Sequence, residues 1–214
     1  MLDNLNLDPF EVRVLGVLIE KELSTPDYYP LTLNATTTGC NQLSSRDPVM
    51  SVSEETVQTT LDRLREKKLV QARNQAGGRS IKYNHCLGGI FSLHEPRLAV
   101  LAVLLLRGFQ TAGEIRGRTG RMHNFNDVAE VEQVLQELSD KNPALVVKLP
   151  RAPGTKESRW AHLLSGELSI ERQESAGAMG ASGTLLELPS NDRISQLEEE
   201  LKQARQELAW LTNE

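Results

Sequence analysis

Two cysteines, Cys40 and Cys86, are all that the 214 residues contain, too few for a disulfide framework. Neither has a second cysteine or a patterned histidine at metal-ligand spacing, although His85 adjoins Cys86. Both are read as reduced thiols, with no metal or cofactor expected. Aromatic residues make up only 4% of the chain, which argues against a stacking platform for single-stranded nucleic acid. The longest uninterrupted apolar stretch, residues 98–106, falls well short of the ~18 residues that would span a bilayer. Asp3 and Asp8 surround Leu2, Leu5 and Leu7, so the start lacks the basic and apolar regions of an export signal. A cytoplasmic protein without a membrane partner is the expectation.

Catalytic patterns are missing too. The histidines His85, His94, His123 and His162 are scattered, and none has a Ser, Cys or carboxylate at a spacing that suggests a triad. Gly113, Gly117 and Gly120 follow no strand candidate, and a lysine-containing phosphate loop is absent. The chain is therefore expected not to be an enzyme. Nor does one charge dominate the body. The net charge is −5, but residues 1–164 carry 20 basic against 19 acidic side chains, while residues 165–214 carry 4 against 10. The acid sits in the tail, and the body is nearly neutral.

What the chain does contain is a pattern of short helices with apolar stripes. Asp8 is placed to cap a helix, Pro9 fits its first turn, and Glu11 completes a capping box. Val14, Leu15, Leu18 and Ile19 then recur at helical spacing until Ser24-Thr25-Pro26. A more polar helix is expected over residues 31–42. A third starts at the cap Ser53, with Val57, Leu61 and Leu64 as its stripe. Strands are expected over 69–73 and 80–84, joined by Ala76-Gly77-Gly78.

The order then repeats, and the repeat is stronger than any single element. Leu101, Leu104 and Thr111 match Leu15, Leu18 and Thr25 at one constant offset. The second set comprises a helix over 93–107, a short one over 111–122, and a third over 127–141 with an Asp127–Glu130 capping box. Val131, Leu135 and Leu138 reproduce the spacing of Val57, Leu61 and Leu64. Strands over 145–149 and 158–163 close the unit. Three helices and a hairpin, twice over, predict a mainly α fold with small β-hairpins (α+β): two tandem winged helix-turn-helix domains, residues 1–86 and 87–166. Residues 167–191, rich in Gly, Ala and Ser around 175–183, read as a flexible linker. Over 192–214, Ile194, Leu197, Leu201, Leu208 and Leu211 alternate in steps of three and four with Ala204. That is the seam of a parallel coiled-coil homodimer or, as the alternative, one face of a lone amphipathic helix.

Several strings resemble the YceH family of bacterial proteins of unassigned function: Tyr29-Pro30-Leu31-Thr32-Leu33-Asn34, Cys40-Asn41-Gln42, Arg46-Asp47-Pro48-Val49-Met50, Leu104-Leu105-Leu106-Arg107-Gly108, and Glu157-Ser158-Arg159 ahead of His162-Leu163. The similarity covers about residues 9–167. The resemblance implies a tandem winged-helix body and little about activity.

In a winged helix the third helix commonly enters the major groove, and its charge tests that role. Glu54, Glu55, Asp62 and Glu66 balance Arg63, Arg65, Lys67 and Lys68, while Asp127, Glu130, Glu132, Glu137 and Asp140 face Lys141 alone. Phosphates would repel the second set. Candidate nucleic-acid contacts therefore lie on wings and turns: Arg73, Arg79 and Lys82; Arg116, Arg118 and Arg121; Arg151, Lys156 and Arg159. They read equally as solvated surface charge. The polar run of the second helix, with Asn34, Asn41, Gln42, Arg46 and Asp47, is either a partner surface or a brace for its own turn. Two functions stay open: a regulatory protein holding duplex DNA through basic wings, and a protein-docking scaffold that binds no DNA.

Overall fold

The computed structural model describes residues 5–74, 80–151, 154–155 and 157–166. Among them the chain is mainly helical, with seven α-helices and two small antiparallel sheets. The linker expected over 167–191 and the helix over 192–214 lie outside the described residues.

Helix α1 (Pro9–Ser24) begins as its sequence requires: Asp8 accepts hydrogen bonds from the Phe10 and Glu11 amides, and the Glu11 carboxylate accepts the Asp8 amide in return. It ends where Pro26 cannot continue it. A single 3-10 turn, Pro26–Tyr28, leads to strand β1 (Leu31–Thr32) and helix α2 (Leu33–Cys40). Residues 31–42 were expected to be wholly helical; instead the first two pair with a later strand. Thr32 is extended and caps α2 by accepting the Ala35 amide, and two residues are too few to show a strand period.

Ser53 caps α3 (Glu54–Glu66), and β2 (Val70–Asn74) pairs with β3 (Ile81–His85). Leu31 pairs with Tyr83 on the other side of β3, giving the order β1-β3-β2. The residues expected to form the turn, 75–79, lie outside the described ones. A short helix, α4 (Leu87–Phe91), follows unannounced. Its Gly88-Gly89 pair opposes helix formation, and burial of Leu87 and Phe91 holds it in place.

The second set comprises α5 (Glu95–Arg107), α6 (Ala112–Thr119), α7 (Val128–Ser139), β4 (Val146–Lys148) and β5 (Trp160–His162). Gly108, at φ +67°, stops α5 in a conformation that suits glycine. Thr111 and Glu114 form a capping box on α6 that the sequence reading missed. The Asp127–Glu130 box is half made: Asp127 accepts the Glu130 amide, but Glu130 turns back to the backbone and side chain of Asn126. Gln110 exchanges backbone hydrogen bonds with Trp160 on β5, standing where Leu31 stands against Tyr83 in the first set. The repeat thus extends to a third segment of each sheet.

Residues Met1–Gln173 make one compact unit, and its core runs without a break through both sets. The reason is α1 against α5. Every residue of α1 from Glu11 to Ile19 and of α5 from Leu98 to Leu106 is buried, the signature of helices covered on all sides. Each fully buried leucine among them contributes roughly 1.5–3 kcal/mol. Backbone bonds from Leu7 to Leu164 and from Asp47 to Leu106 add further ties between the sets.

Candidate functional site

Along β3 alternate side chains turn inward, whereas β2 buries only its first residue, Val70. Val70, Tyr83 and His85 are buried, with Leu31 beside them on the same face. The opposite face carries Gln71, Arg73, Lys82, Asn84 and Thr32, with no acid among them. Arg73 stands directly across the ladder from Lys82, an arrangement that costs stability because like charges share one face. Among the described residues neither cation has an ion-pair partner. Arg79 lies outside the described residues.

Three of the four basic side chains on and just after α3 are occupied elsewhere, and Lys68 is exposed. Arg63 pairs with Asp8 at 2.7 Å, Arg65 with Asp62 at 2.8 Å, and Lys67 with Glu11 at 2.7 Å. Side-chain hydrogen bonds from Gln58 and Arg65 hold the Asp62 carboxyl below its ordinary range. On α7, Arg97 of α5 engages Glu137, while Glu132 and Asp140 stay exposed.

A second basic region is concave. The ends of α1, α5 and α6 and the loop after α2 surround a cleft of about 450 Å³, lined by Lys21, Arg107, Arg118 and Arg121 opposite Gln42, Ser44 and Ser45. Among the described residues Glu20 supplies its one carboxylate. Burial, with the charges of Arg118 and Arg46, holds Arg107 below the ordinary guanidinium value, against the pull of Glu20 and Asp47. Arg118 and Arg121 were among the sequence candidates; Lys21 and Arg107 were not. The signal was present, since the offset that matches Leu15 to Leu101 also matches Lys21 to Arg107.

The remaining candidates are dispersed. Arg116 donates to the carbonyls of Phe125 and Asn126. Arg159 donates to the Phe109 carbonyl at 2.7 Å and pairs with Glu114, which takes up its charge. Arg151 is exposed, and Lys156 lies outside the described residues, as do Ile194, Leu197, Leu201, Leu208 and Leu211.

The polar run from α2 onward is divided: Arg46 is buried, Asn41 and Gln42 are half-buried, and Asn34 and Asp47 are exposed. Arg46 is buried, with its guanidinium on Glu20, Gln42 and the carbonyls of Gly39 and Ser45. Asn41 exchanges two 2.8 Å bonds with the backbone of Val52. Asn34 holds Glu54 at the surface, and Asp47 is exposed. The hydrogen bonds of Arg46 and Asn41 tie down the path from α2 to α3, while Asn34 and Asp47 stand at the surface.

The profile of the family described as "Protein of unknown function, DUF480" matches residues 7–155. A UPF0502 protein of Herminiimonas arsenicoxydans is 53% identical over 204 residues, covering 95% of this chain and 85% of that relative. One from Azoarcus sp. (strain BH72) is 50% identical over 206 residues, with 96% and 89% covered. One from Geobacter sulfurreducens is 52% identical over 196 residues, with 91% and 88% covered. These similarities run past residue 167, further than the span that carried the family resemblance.

Proposed function

The chain belongs to the UPF0502 family, also described as DUF480, and from that premise we propose a function read from its own surfaces: non-enzymatic binding of duplex DNA through the phosphate backbone. In this reading residues 1–86 and 87–166 are two tandem winged helices, and the outer face of β2 and β3 is a wing laid against the duplex. The observation that carries it is Arg73 directly across from Lys82 on a face without acids. A phosphate seated between two such cations relieves their repulsion and releases counterions. The ion pairs of α3 and the acids of α7 argue for backbone contact rather than groove reading. Exposed Arg151 extends the basic surface on the second hairpin. A cytoplasmic homodimer joined through the helix expected over 192–214 completes the proposal.

A protein-docking scaffold is the second reading, favoured by the exposed acid Glu132 one turn from Val128, which is 40% exposed, and by exposed Asp140 at the far end of α7. Fluorescence anisotropy with random duplex DNA, at low salt and then with rising salt, separates the two. DNA binding with a falling log–log salt dependence is expected, with the variant Arg73→Glu, Lys82→Glu losing most of its affinity. Unchanged affinity in that variant, or no binding at any salt, overturns the wing assignment.

A further inference from the structure

The cleft bounded by the ends of α1, α5 and α6 carries more positive charge than its surroundings neutralise. Among the described residues, Lys21, Arg107, Arg118 and Arg121 line it against Glu20 alone, a net charge of +3. Glu20 is itself engaged by Arg46, through bonds of 2.7 and 3.2 Å. Among the described residues, the guanidinium groups of Arg107, Arg118 and Arg121 make no hydrogen bond or ion pair. The C-termini of the three helices account for part of this clustering, since each presents roughly half a negative charge. Even all three together offset only about half of the excess, and what is left matches an anion carrying close to two charges.

The cleft's other features narrow the class. Its volume of about 450 Å³ falls within the roughly 300–1,000 Å³ typical of small-molecule sites. Arginine forks arriving from different elements suit the oxygens of a phosphoryl group. Ser44 and Ser45 offer hydroxyl donors on the facing wall, while Val103, Leu106 and Met122 supply an apolar floor. Among the described residues no aromatic side chain lines the cleft, so these residues offer no platform for stacking a base.

We propose that this cleft binds a small organic phosphate, its dianionic phosphomonoester held by Arg107, Arg118 and Arg121 and its apolar portion resting on Val103, Leu106 and Met122. A phosphomonoester carries close to two negative charges at neutral pH; a diester of the nucleic-acid backbone carries one. The wing residues Arg73 and Lys82 are not part of the cleft, whereas Arg118 and Arg121 are also candidate nucleic-acid contacts, so phosphate affinity and DNA affinity are read separately.

The test uses the full chain, with inorganic phosphate and dimethyl phosphate as probes, each titrated calorimetrically at constant ionic strength and about pH 8, above the second ionisation near about 6. Saturable binding of inorganic phosphate, with none of dimethyl phosphate, is expected. Arg107→Gln with Arg118→Gln should weaken it about a hundredfold, since each lost charge-assisted contact removes about tenfold of the affinity. Arg121→Gln alone serves as the milder variant if the double one does not fold. Equal binding of the two probes, no saturable binding, or unchanged phosphate affinity in the variants overturns the proposal. So does a loss of DNA affinity in the cleft variants without a loss of phosphate affinity, which would assign the cleft to the duplex backbone.

Discussion

Gly16 on α1 meets Leu106 on α5 so closely that a Cβ placed on the glycine would lie 2.9 Å from both Cγ and Cδ2 of the leucine, and 3.1 Å from the Cβ of Leu105. This approach lets two helices that are buried on all sides share one core. The same helix is approached from α2, where a Cβ on Gly39 would fall 2.5 Å from Cγ1 of Val17.

Replacing Gly16 with valine should therefore cost stability. Overpacking of this kind is worth about 1–3 kcal/mol, and valine recovers little of it through helix propensity. Gly117 is the contrast, because a Cβ there meets nothing within 4 Å. Gly117→Ala in α6 should stabilise the protein by about 0.5–1 kcal/mol. Urea unfolding midpoints report both, and a Gly16→Val protein as stable as the parent would contradict the described contact.

Glu20 and Arg46 form a pair in which the arginine side chain is fully buried and the glutamate 15% exposed. Glu20→Ala leaves that guanidinium without its carboxylate and should destabilise by about 3 kcal/mol. In the double variant Glu20→Leu, Arg46→Met no charge is stranded, so it should unfold at a higher urea concentration than Glu20→Ala. The reverse order would show that the arginine is satisfied by its carbonyl partners alone.

Asn41 clamps Val52 through both the donor and the acceptor of its amide. Asn41→Ala should cost about 2 kcal/mol, two hydrogen bonds at about 1 kcal/mol each. Asn41→Asp keeps the acceptor for the Val52 amide and loses the donor, so it should fall between the two. Hydrogen exchange at the Val52 amide is the direct readout: fast in the alanine variant, slow in the aspartate one.

Burial pushes the Cys40 thiol up to about 11, with Arg13 and Arg46 pulling the other way. In the unfolded chain the thiol ionises near about 8.5. The neutral form is thus the one the fold favours, and its contribution is complete below about pH 8. As pH rises from there the unfolded state loses its proton first, and about 3 kcal/mol is lost by about pH 11. Cys40→Ala should flatten this decline. It should not abolish it, because burial raises the Tyr29 phenol as well. Identical alkaline profiles for the parent and Cys40→Ala would place the thiol in contact with solvent.

The elements that declared themselves did so through local chemistry. Asp8 with Glu11, Ser53, and the stripe of Val57, Leu61 and Leu64 each act within one or two helical turns, and the structure places all of them as the spacing requires. Leu31 and Thr32 misled because their extended conformation depends on β3, fifty residues further along. Helix α4 was invisible because two glycines argue against it locally and only buried neighbours argue for it. At the candidate sites, Arg73 and Lys82 were each legible as basic, but their placement face to face follows from a register that no short window contains. Arg46 and Asn41 read as surface candidates, and their long reach to Glu20, Gly39 and Val52 turned them inward.

From the residues alone came the duplicated run of three helices and a hairpin, the neutral body with its acidic tail, and the family. Periodicity and capping act over a few neighbouring positions, so a linear string can state them. Which faces meet was decided only by the folded chain: α1 against α5, the cleft that gathers Lys21, Arg107, Arg118 and Arg121 from the ends of three helices, and the pairing of two cations across one sheet. Each depends on close packing between segments distant in sequence, where fit and mutual repulsion are set by three-dimensional distance.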